Sequence, residues 1–501
     1  MNANGAISVS NIKSEDIFQE VANDVNSINY RSYTISGRFD EEVSVKAFGA
    51  KGDGVTDDSV NIQRAIDFVT AKGGVLIFPT GVYRIATTLN IITSIKMKGT
   101  GLTFYDKASK LVCGSPNMTL FNLGGPENYI ENMVIQGYET DLSDIVNGYG
   151  QAGTCIGFRF ARANGSKDID SYITGCSAAG FLKGVEAIGS NLKVTDTLFT
   201  ACRFSLDFYA AATAPADFRG FIVDNTRFHK CGGNGYTNDA ICIRTTGIFK
   251  NSQLTNLFAD VGTNMLYYGA LAEGACIRGV ISRYATGDLI TVVNSGITPS
   301  AAYQHYQITD VSFQTPTGAT ATAGGWAIKL YDAPGGNISG VSTTFTRKGL
   351  ISAVNSSDLM LSGLFARNIN VDYFSSGLDC DAIELINSVD VQIDNVFVRN
   401  TLNSNQTRSV INLDATSSCN IRQISYVNVT NISIGEGSIT GECYNARSAP
   451  SMTYGTVVPT KGFYRAGSIH INTSATSGGP GMWICTTAGS PGIWKAFVLG
   501  S

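Results

Sequence analysis

A six-residue pattern, apolar-x-(Asp/Asn/Gly)-x-x-apolar or a close variant, recurs along most of this chain. It reads Ile130-Glu131-Asn132-Met133-Val134-Ile135, Val194-Thr195-Asp196-Thr197-Leu198-Phe199 and Val223-Asp224-Asn225-Thr226-Arg227-Phe228. It continues at Leu254-Thr255-Asn256, Ile277-Arg278-Gly279, Ile308-Thr309-Asp310, Ile338-Ser339-Gly340, Leu361-Ser362-Gly363 and Ile393-Asp394-Asn395. From residue 194 onward the starts lie roughly 23 to 32 residues apart. Asn, Asp and Gly enter the left-handed conformation cheaply, so each pattern reads as strand, tight bend, strand. A period of that size signals a solenoid, in which each coil buries its apolar face only against its neighbours.

Upstream of each bend lies a further short strand, and alternation assigns its two faces. Leu206, Ile241, Leu266, Ile290, Ile328, Ile351, Ile383 and Ile411 point inward. Asp207, Cys242, Tyr267, Thr291, Lys329, Ser352, Glu384 and Asn412 point outward as one ladder. Cys176, Cys202 and Cys231 recur about one coil apart and read as a buried thiol stack. The expectation is ten to thirteen coils of parallel β-helix between residues 75 and 440.

Composition removes other classes. Among 501 residues, 36 Lys and Arg face 40 Asp and Glu, a net charge of −4. No basic surplus exists to release phosphate counterions, so neither nucleic acid nor an anionic membrane is an expected partner. Charged residues are 15 %, and Gly at 55 far outnumbers Pro at 11, which suits short strands and tight turns rather than helices. Residues 1–10 lack a basic patch followed by an apolar run, so no secretory signal is expected. No run of 18 apolar residues offers a membrane span. The 11 cysteines are odd in number and contain no Cys-x-x-Cys, so free thiols are expected. His229, His305 and His470 are far apart, so neither a metal site nor a cofactor is expected.

Two segments precede the repeats. Residues 14–29 read as a helix with Phe18, Val21, Val25 and Ile28 spaced 3-4-3. That spacing suits either a short coiled coil or an amphipathic helix lying on a core. Val45-Lys46-Ala47-Phe48-Gly49-Ala50-Lys51-Gly52-Asp53-Gly54-Val55-Thr56-Asp57-Asp58 then leads into a second helix. Asp57 or Asp58 caps it, Ile62, Ala65, Ile66 and Val69 form its apolar face, and Gly73-Gly74 ends it. Strands at Val75–Pro79 and Gly81–Ile85 follow. This stretch resembles the opening motif of the pectate-lyase-like superfamily, F-G-A-x-G-D-G-x-x-D-D, helix, G-G-V-x-x-F-P-x-G-x-Y. The resemblance implies an all-β, right-handed, single-stranded parallel β-helix whose first coil is covered by that helix. Asp53, Asp57 and Asp58 are read as turn and cap residues.

Residues 446–501 read as a small β module. Tyr464-Arg465-Ala466-Gly467 and Trp483-Ile484-Cys485-Thr486-Thr487-Ala488-Gly489-Ser490-Pro491-Gly492-Ile493-Trp494 resemble the short C-terminal domain of phage tailspikes and tail fibres. The resemblance implies trimerisation or sugar contact; a β-sandwich cap with two buried tryptophans is the plainer reading. Taken together, the chain resembles a bacteriophage tailspike, or capsule depolymerase. The expected organisation is a neck over 1–42, a β-helix over 43–445 and the β module over 446–501. What the resemblance implies is a homotrimer on the virion tail that acts at the bacterial surface. Its expected partners are a surface polysaccharide and, through the N-terminus, other tail proteins.

Glycosidic hydrolysis needs two carboxylates, about 5–5.5 Å apart for retention or about 6.5–9.5 Å for inversion. Residues one or two coils apart meet such spacings, because neighbouring coils lie about 4.8 Å apart. By the bend alignment, His229, Asp260, Arg283 and Gln314 follow the last strand of a coil. Asp239, Asn264 and Asp288 precede the next first strand, and Asp207 and Arg244 share one strand face. The expected acid–base pair is Asp239 with one of Asp207, Asp260 or Asp288; His229, Arg244, Arg283 and Tyr267 would hold the sugar. Asn238-Asp239-Ala240-Ile241 and Asp381-Ala382-Ile383 also resemble the N-T-D-G-I strand start of polygalacturonases, whose G-H-G and R-I-K motifs are missing here. Asp381, Glu384 and Asp414 form the competing cluster. Tyr268 and Tyr331 are further stacking candidates. A lyase would instead need a base and a cation, which His229, Arg244 and Arg283 can supply. A glycan-binding adhesin without catalysis and a structural tail component are the other readings. No Gly-x-Ser-x-Gly is present, against a nucleophile-elbow esterase.

Overall fold

Every bend singled out in the sequence lies in the left-handed region. Asn132, Asp196, Asn225, Asn256, Asp310 and Asn395 have φ between 45° and 56°, and Gly279, Gly340 and Gly363 between 60° and 68°. The computed structural model describes residues 41–101, 108–138, 154–162, 168–209, 220–231, 241–247, 249–262, 264–269, 274–285, 287–293, 305–314, 325–346, 348–369, 380–399, 407–427, 429–435, 438–440, 452–460, 464, 466–487 and 492–498. Residues 14–29 and Asp239 lie outside these.

The strands stack into two sheets. One has 13 strands, one per coil, from Leu89–Ile91 to Val429–Gly435; the other has 23 strands and takes the strands on either side of the bends. Every pairing within them is parallel, for example Phe204 with Ile241 and Leu206 with Ile243. The result is a right-handed parallel β-helix, with thirteen coils among the described residues. Side chains also reach between coils at the bends. The Asn225 amide donates to Asp196 at 2.6 Å, and Asn256 to Asp224 at 3.0 Å. A second corner escaped the sequence reading. Asp332, Asn355 and Asn387 have φ of 47° to 50° there. Asn387 donates to Asn355, and Asn355 to Asp332, each at 2.9 Å.

The core is a set of columns. Leu206, Ile243, Leu266, Ile290, Ile328, Ile351, Ile383 and Ile411 stand in one register and are at most 1 % exposed. Each contributes about 1.5–3 kcal/mol of burial. Ile243 takes the place expected for Ile241, a slip of two residues. Cys242 is consequently not on the outward ladder: it is buried beside Ser205 and Cys231, and Arg244 stands in its place. Among the described residues, the nine cysteines whose side chains are placed are free, as expected. Cys202 and Cys231 follow the paired strands Leu198–Thr200 and Arg227–His229 and share one corner; Cys176 precedes Ser177–Ala179 and lies at another.

Helix α1 (Ser59–Lys72) buries Ile62, Ala65, Ile66 and Val69 against the first coils. Asp58 does not cap it with its side chain. Its carboxylate instead accepts the Lys51 and Gly52 amides at 2.7 and 2.9 Å, pinning the loop before the helix. Asp57 accepts the Ser59 amide at 3.1 Å. Asp53 accepts the Thr56 and Val55 amides, which pull its pKa down to about 2. Gly52, at φ 63°, sits where a Cβ would meet the buried Tyr83 ring at 2.9 Å.

Residues Met452–Gly455, Ile469–Asn472, Pro480–Thr487 and Ile493–Val498 form a separate four-stranded sheet. Trp483 and Trp494 are half-buried rather than buried, and both pack on His470.

Candidate functional site

Register columns bring distant residues together on the outer surface, and two groups result. The first is the ladder on the thirteen-stranded sheet. It runs Asn122, Arg159, Glu186, Asp207, Arg244, Tyr267, Thr291, Lys329, Ser352, Glu384 and Asn412. Tyr267 stands on this ladder as expected, but between Arg244 and Thr291 instead of Cys242 and Thr291.

This ladder holds a charged network. Arg244 grips Asp207 with two hydrogen bonds, at 2.8 and 2.7 Å. Lys183 lies 2.9 Å from the same carboxylate and 2.5 Å from Glu186, which also accepts Arg159 at 2.8 Å. The Tyr209 hydroxyl accepts from Lys183 at 3.2 Å and Arg244 at 2.9 Å. The Arg244 guanidinium stacks on Phe204, 3.8 Å from the ring centre. Burial disfavours the Lys183 and Arg244 charges, but Glu186 and Asp207 outweigh it, and both pKa values rise above ordinary. Asp207 itself is 0 % exposed. A carboxylate sealed beneath two cations cannot reach a glycosidic oxygen; its visible effect is to fix Arg244 and Lys183 in place. Lys183, Glu186, Arg159 and Tyr209 escaped the sequence reading; Glu186, Arg159 and Tyr209 share the ladder's alternation, whereas Lys183 enters from the strand start, in register with Phe204.

Further along the same sheet, Asp288 accepts the Trp326 amide at 2.8 Å and faces Lys329 at 3.6 Å. In the competing cluster, Asp381 is buried and accepts Ser409 at 2.7 Å, while Glu384 accepts Ser352 at 2.8 Å. Asp414 is a turn residue: it accepts the Asn387 amide and the Thr416 and Ser417 hydroxyls. Burial opposes it, but those hydrogen bonds hold its pKa below the usual range.

The second group lies on the sheet that carries the bends. His229, Asp260, Arg283 and Gln314 stand in one register column, as expected, although they lie within their strands rather than after them: His229 and Gln314 are last residues, and Asp260 and Arg283 are two residues from the end. Asp260 is half-buried, and among the described residues its carboxylate has no hydrogen-bond or ion-pair partner. Burial lowers the His229 pKa, Lys230 adds to this, and Asp260 opposes it. The imidazole is thereby biased to the neutral form that accepts a proton. Arg283 is exposed and lies 6.0 Å from the Phe258 ring. Asp239 lies in the connection between His229 and Ile241. Asn264 pairs with Ile241, so Asp239 precedes that column by two residues instead of sharing it.

Residues 42–136 match the family model described as "Rhamnogalacturonase A/epimerase, pectate lyase-like". The chain folds as a parallel β-helix, and residues 42–136 carry the likeness to the pectate-lyase-like family. The tailspike protein of E. coli bacteriophage HK620, solved with a pentasaccharide, superposes with a TM-score of 0.54 at 13 % identity, over 95 % of this chain and 98 % of that one. The A-module of the Azotobacter vinelandii mannuronan C-5 epimerase AlgE6 gives 0.52 at 15 % identity, over 80 % and 97 %. Curated relatives align with short stretches. A glucan 1,3-beta-glucosidase of Cochliobolus carbonum is 35 % identical over 75 residues, and alginate lyase 7 of Azotobacter vinelandii 54 % over 46. These matches span 10 % and 5 % of those proteins. At such identities the superpositions establish the fold.

Proposed function

We propose that this protein acts on a polysaccharide, as a phage tailspike that binds and depolymerises a bacterial surface glycan by glycosidic hydrolysis. The observation that carries the reading is Asp260: an unpartnered carboxylate between His229 and Arg283 on the outer face of a β-helix. The tailspike role draws on the end-to-end likeness in fold to the HK620 tailspike. A homotrimer on the virion tail, docked to other tail proteins through its N-terminus, is part of this proposal.

In the proposed reaction Asp239 and Asp260 form the acid–base pair. One carboxyl protonates the leaving oxygen while the other activates water or attacks the sugar, and their separation decides between inversion and retention. Asp207 is then a positioning residue that aims Arg244. Arg244 and Arg283 bind hydroxyl or carboxylate groups of the sugar by charge-assisted hydrogen bonds, with Tyr267 next to Arg244 on the ladder. Asp288, already bound to the Trp326 amide, is the weaker candidate.

A second reading rests on the same column. A neutral His229 and the Arg283 cation, two coils apart with Asp260 between them, supply the base and the cation a lyase needs, with the cation stabilising charge that develops next to a uronate carboxylate.

The test is incubation of the full chain with purified capsular and O-antigen polysaccharides, followed by sizing of the products. Shortened chains without new ultraviolet absorbance are expected of a hydrolase, and unsaturated, absorbing ends of a lyase. Intact polymer across the panel would overturn both.

A further inference from the structure

Beyond Arg283, the column containing Asp260 continues along the helix, and a second outward column runs beside it. The first reads His229, Asp260, Arg283, Gln314, Thr344, Arg367, Arg399. The neighbour reads Arg227, Phe258, Ile281, Ser312, Ser342, Phe365, Phe397. The far end therefore presents two phenylalanines beside two arginines. The Phe365 and Phe397 rings stack at 5.4 Å with planes 5° apart, and Phe365 is 38 % exposed. Arg283, Arg367 and Arg399 are exposed, and none has an ion-pair or side-chain hydrogen-bond partner among the described residues. Asp260 is the one carboxylate in the two columns, against four arginines.

A continuous strip with four guanidiniums, one carboxylate and an aromatic platform does not suit a neutral, purely apolar partner. Guanidinium binds planar carboxylates with two parallel hydrogen bonds. Stacked rings offer an apolar face to the flat side of a pyranose. From Asp260 to Arg367 is four coils, about 19 Å at about 4.8 Å per coil. The intervening Ser312, Gln314, Ser342 and Thr344 are polar and short, so a polymer meets no barrier on the way.

We propose that Phe365, Phe397, Arg367 and Arg399 form a distal subsite that binds acidic sugar residues of the same polysaccharide chain. The proposal rests on the reading of a polysaccharide ligand and deepens it: the substrate class is an acidic, carboxylate-bearing glycan that lies along the helix axis. Only chains long enough to bridge from Asp260 to Phe365 gain the full affinity.

The experiment is affinity electrophoresis of the full chain in gels cast with a panel of purified bacterial surface polysaccharides, half carrying uronic or sialic acids and half neutral. Wild type, Arg367→Gln/Arg399→Gln and Phe365→Ala are compared, with light scattering on each. Retardation by at least one acidic polysaccharide and by no neutral one is expected. The double Arg variant should weaken that binding about tenfold or more, with a shallower salt dependence. Unchanged retardation in the double variant, retardation by neutral polymers alone, or none at all would overturn the subsite. A drop in oligomer mass caused by the Arg or Phe changes would show that a second copy of the chain covers this strip instead, which also overturns it. Failure of the catalytic reading looks different. A protein that binds acidic glycan through Arg367 and Arg399 but leaves it intact keeps the subsite and sinks the hydrolase.

Discussion

Asp207→Asn tests whether the ladder network is a unit. The substitution preserves shape and removes one charge beneath Arg244 and Lys183. Asp207 is 0 % exposed and holds three contacts of 2.7 to 2.9 Å with those cations. Breaking a buried ion pair by removing one partner costs about 3–5 kcal/mol, since the other charge stays buried and uncompensated. Arg244 and Lys183 keep some access to water, so the lower end, about 3 kcal/mol, is expected. Unfolding entropy of about 2.1 cal/mol/K per residue, over the coils from Leu89 to Gly435, gives about 0.7 kcal/mol/K. The melting temperature should therefore fall by about 4 °C, read by calorimetry at matched protein concentration and scan rate. Arg244→Gln alone should cost less, because Lys183 still neutralises Asp207. The double variant should fall short of the sum by more than about 1 kcal/mol. A melting temperature within 1 °C of wild type, or strictly additive losses, would refute the idea that these charges act together.

Four other outcomes follow from the geometry. Asp260→Asn should slow depolymerisation about 10²-fold or more with the fold intact; if Asp381→Asn or Glu384→Gln abolishes turnover while Asp260→Asn does not, the site lies at the other cluster. Because burial depresses the His229 pKa below the ordinary 6.5, its protonated form is disfavoured in the folded state. Its contribution to stability is thus present above about pH 6.5 and lost as pH falls; in the lyase reading the acid limb of the rate profile should lie below pH 6.5 and His229→Gln should abolish turnover, whereas in the hydrolase reading His229→Gln keeps an acid limb set by the carboxylate pair. Gly52→Ala forces a left-handed alanine against Tyr83 and should cost about 2–4 kcal/mol, seen as earlier thermal unfolding. Light scattering at micromolar concentration should give a trimer mass; a monomer would remove the threefold assembly from the proposal.

The bends were legible because a left-handed residue is chemically marked: Asn132, Asp196 and Gly340 advertise the turn by type alone. Strand parity was legible for the same local reason. Register was not. Alternation has a period of two, so a slip of two residues leaves every inward residue apolar. Ile241 and Ile243 are both buried isoleucines, and nothing local says which one stacks on Leu206. That slip put Cys242 on the ladder in place of Arg244 and aligned Asp239 with Asn264. The column from His229 to Gln314 survived because it was counted from the bends Asn225, Asn256, Gly279 and Asp310, each of which precedes its column residue by the same number of positions. Partnership was the other hidden quantity. Asp207 and Asp260 look alike in sequence, but one is sealed under Arg244 and Lys183 and the other is not; the Lys183 coil carries a bend of the expected form, Ile173-Thr174-Gly175-Cys176-Ser177-Ala178, that the sequence reading passed over.

The corner residues carry a consequence for how such a chain changes over generations. A residue at a bend or in an inward column touches its counterparts in the coils above and below, so a replacement there must suit three layers at once. An outward residue with no side-chain partner in the next coil, such as Gln314, is held less tightly, although Asp207 with Arg244 and Phe365 with Phe397 are outward pairs that must also change together. The coil stack therefore separates what must be inherited together from what can drift alone. Recognition of a new glycan can be rewritten one rung at a time, and a whole rung inserted or lost shifts the spacing of the strip by one repeat while leaving every other rung's own pairing as it was.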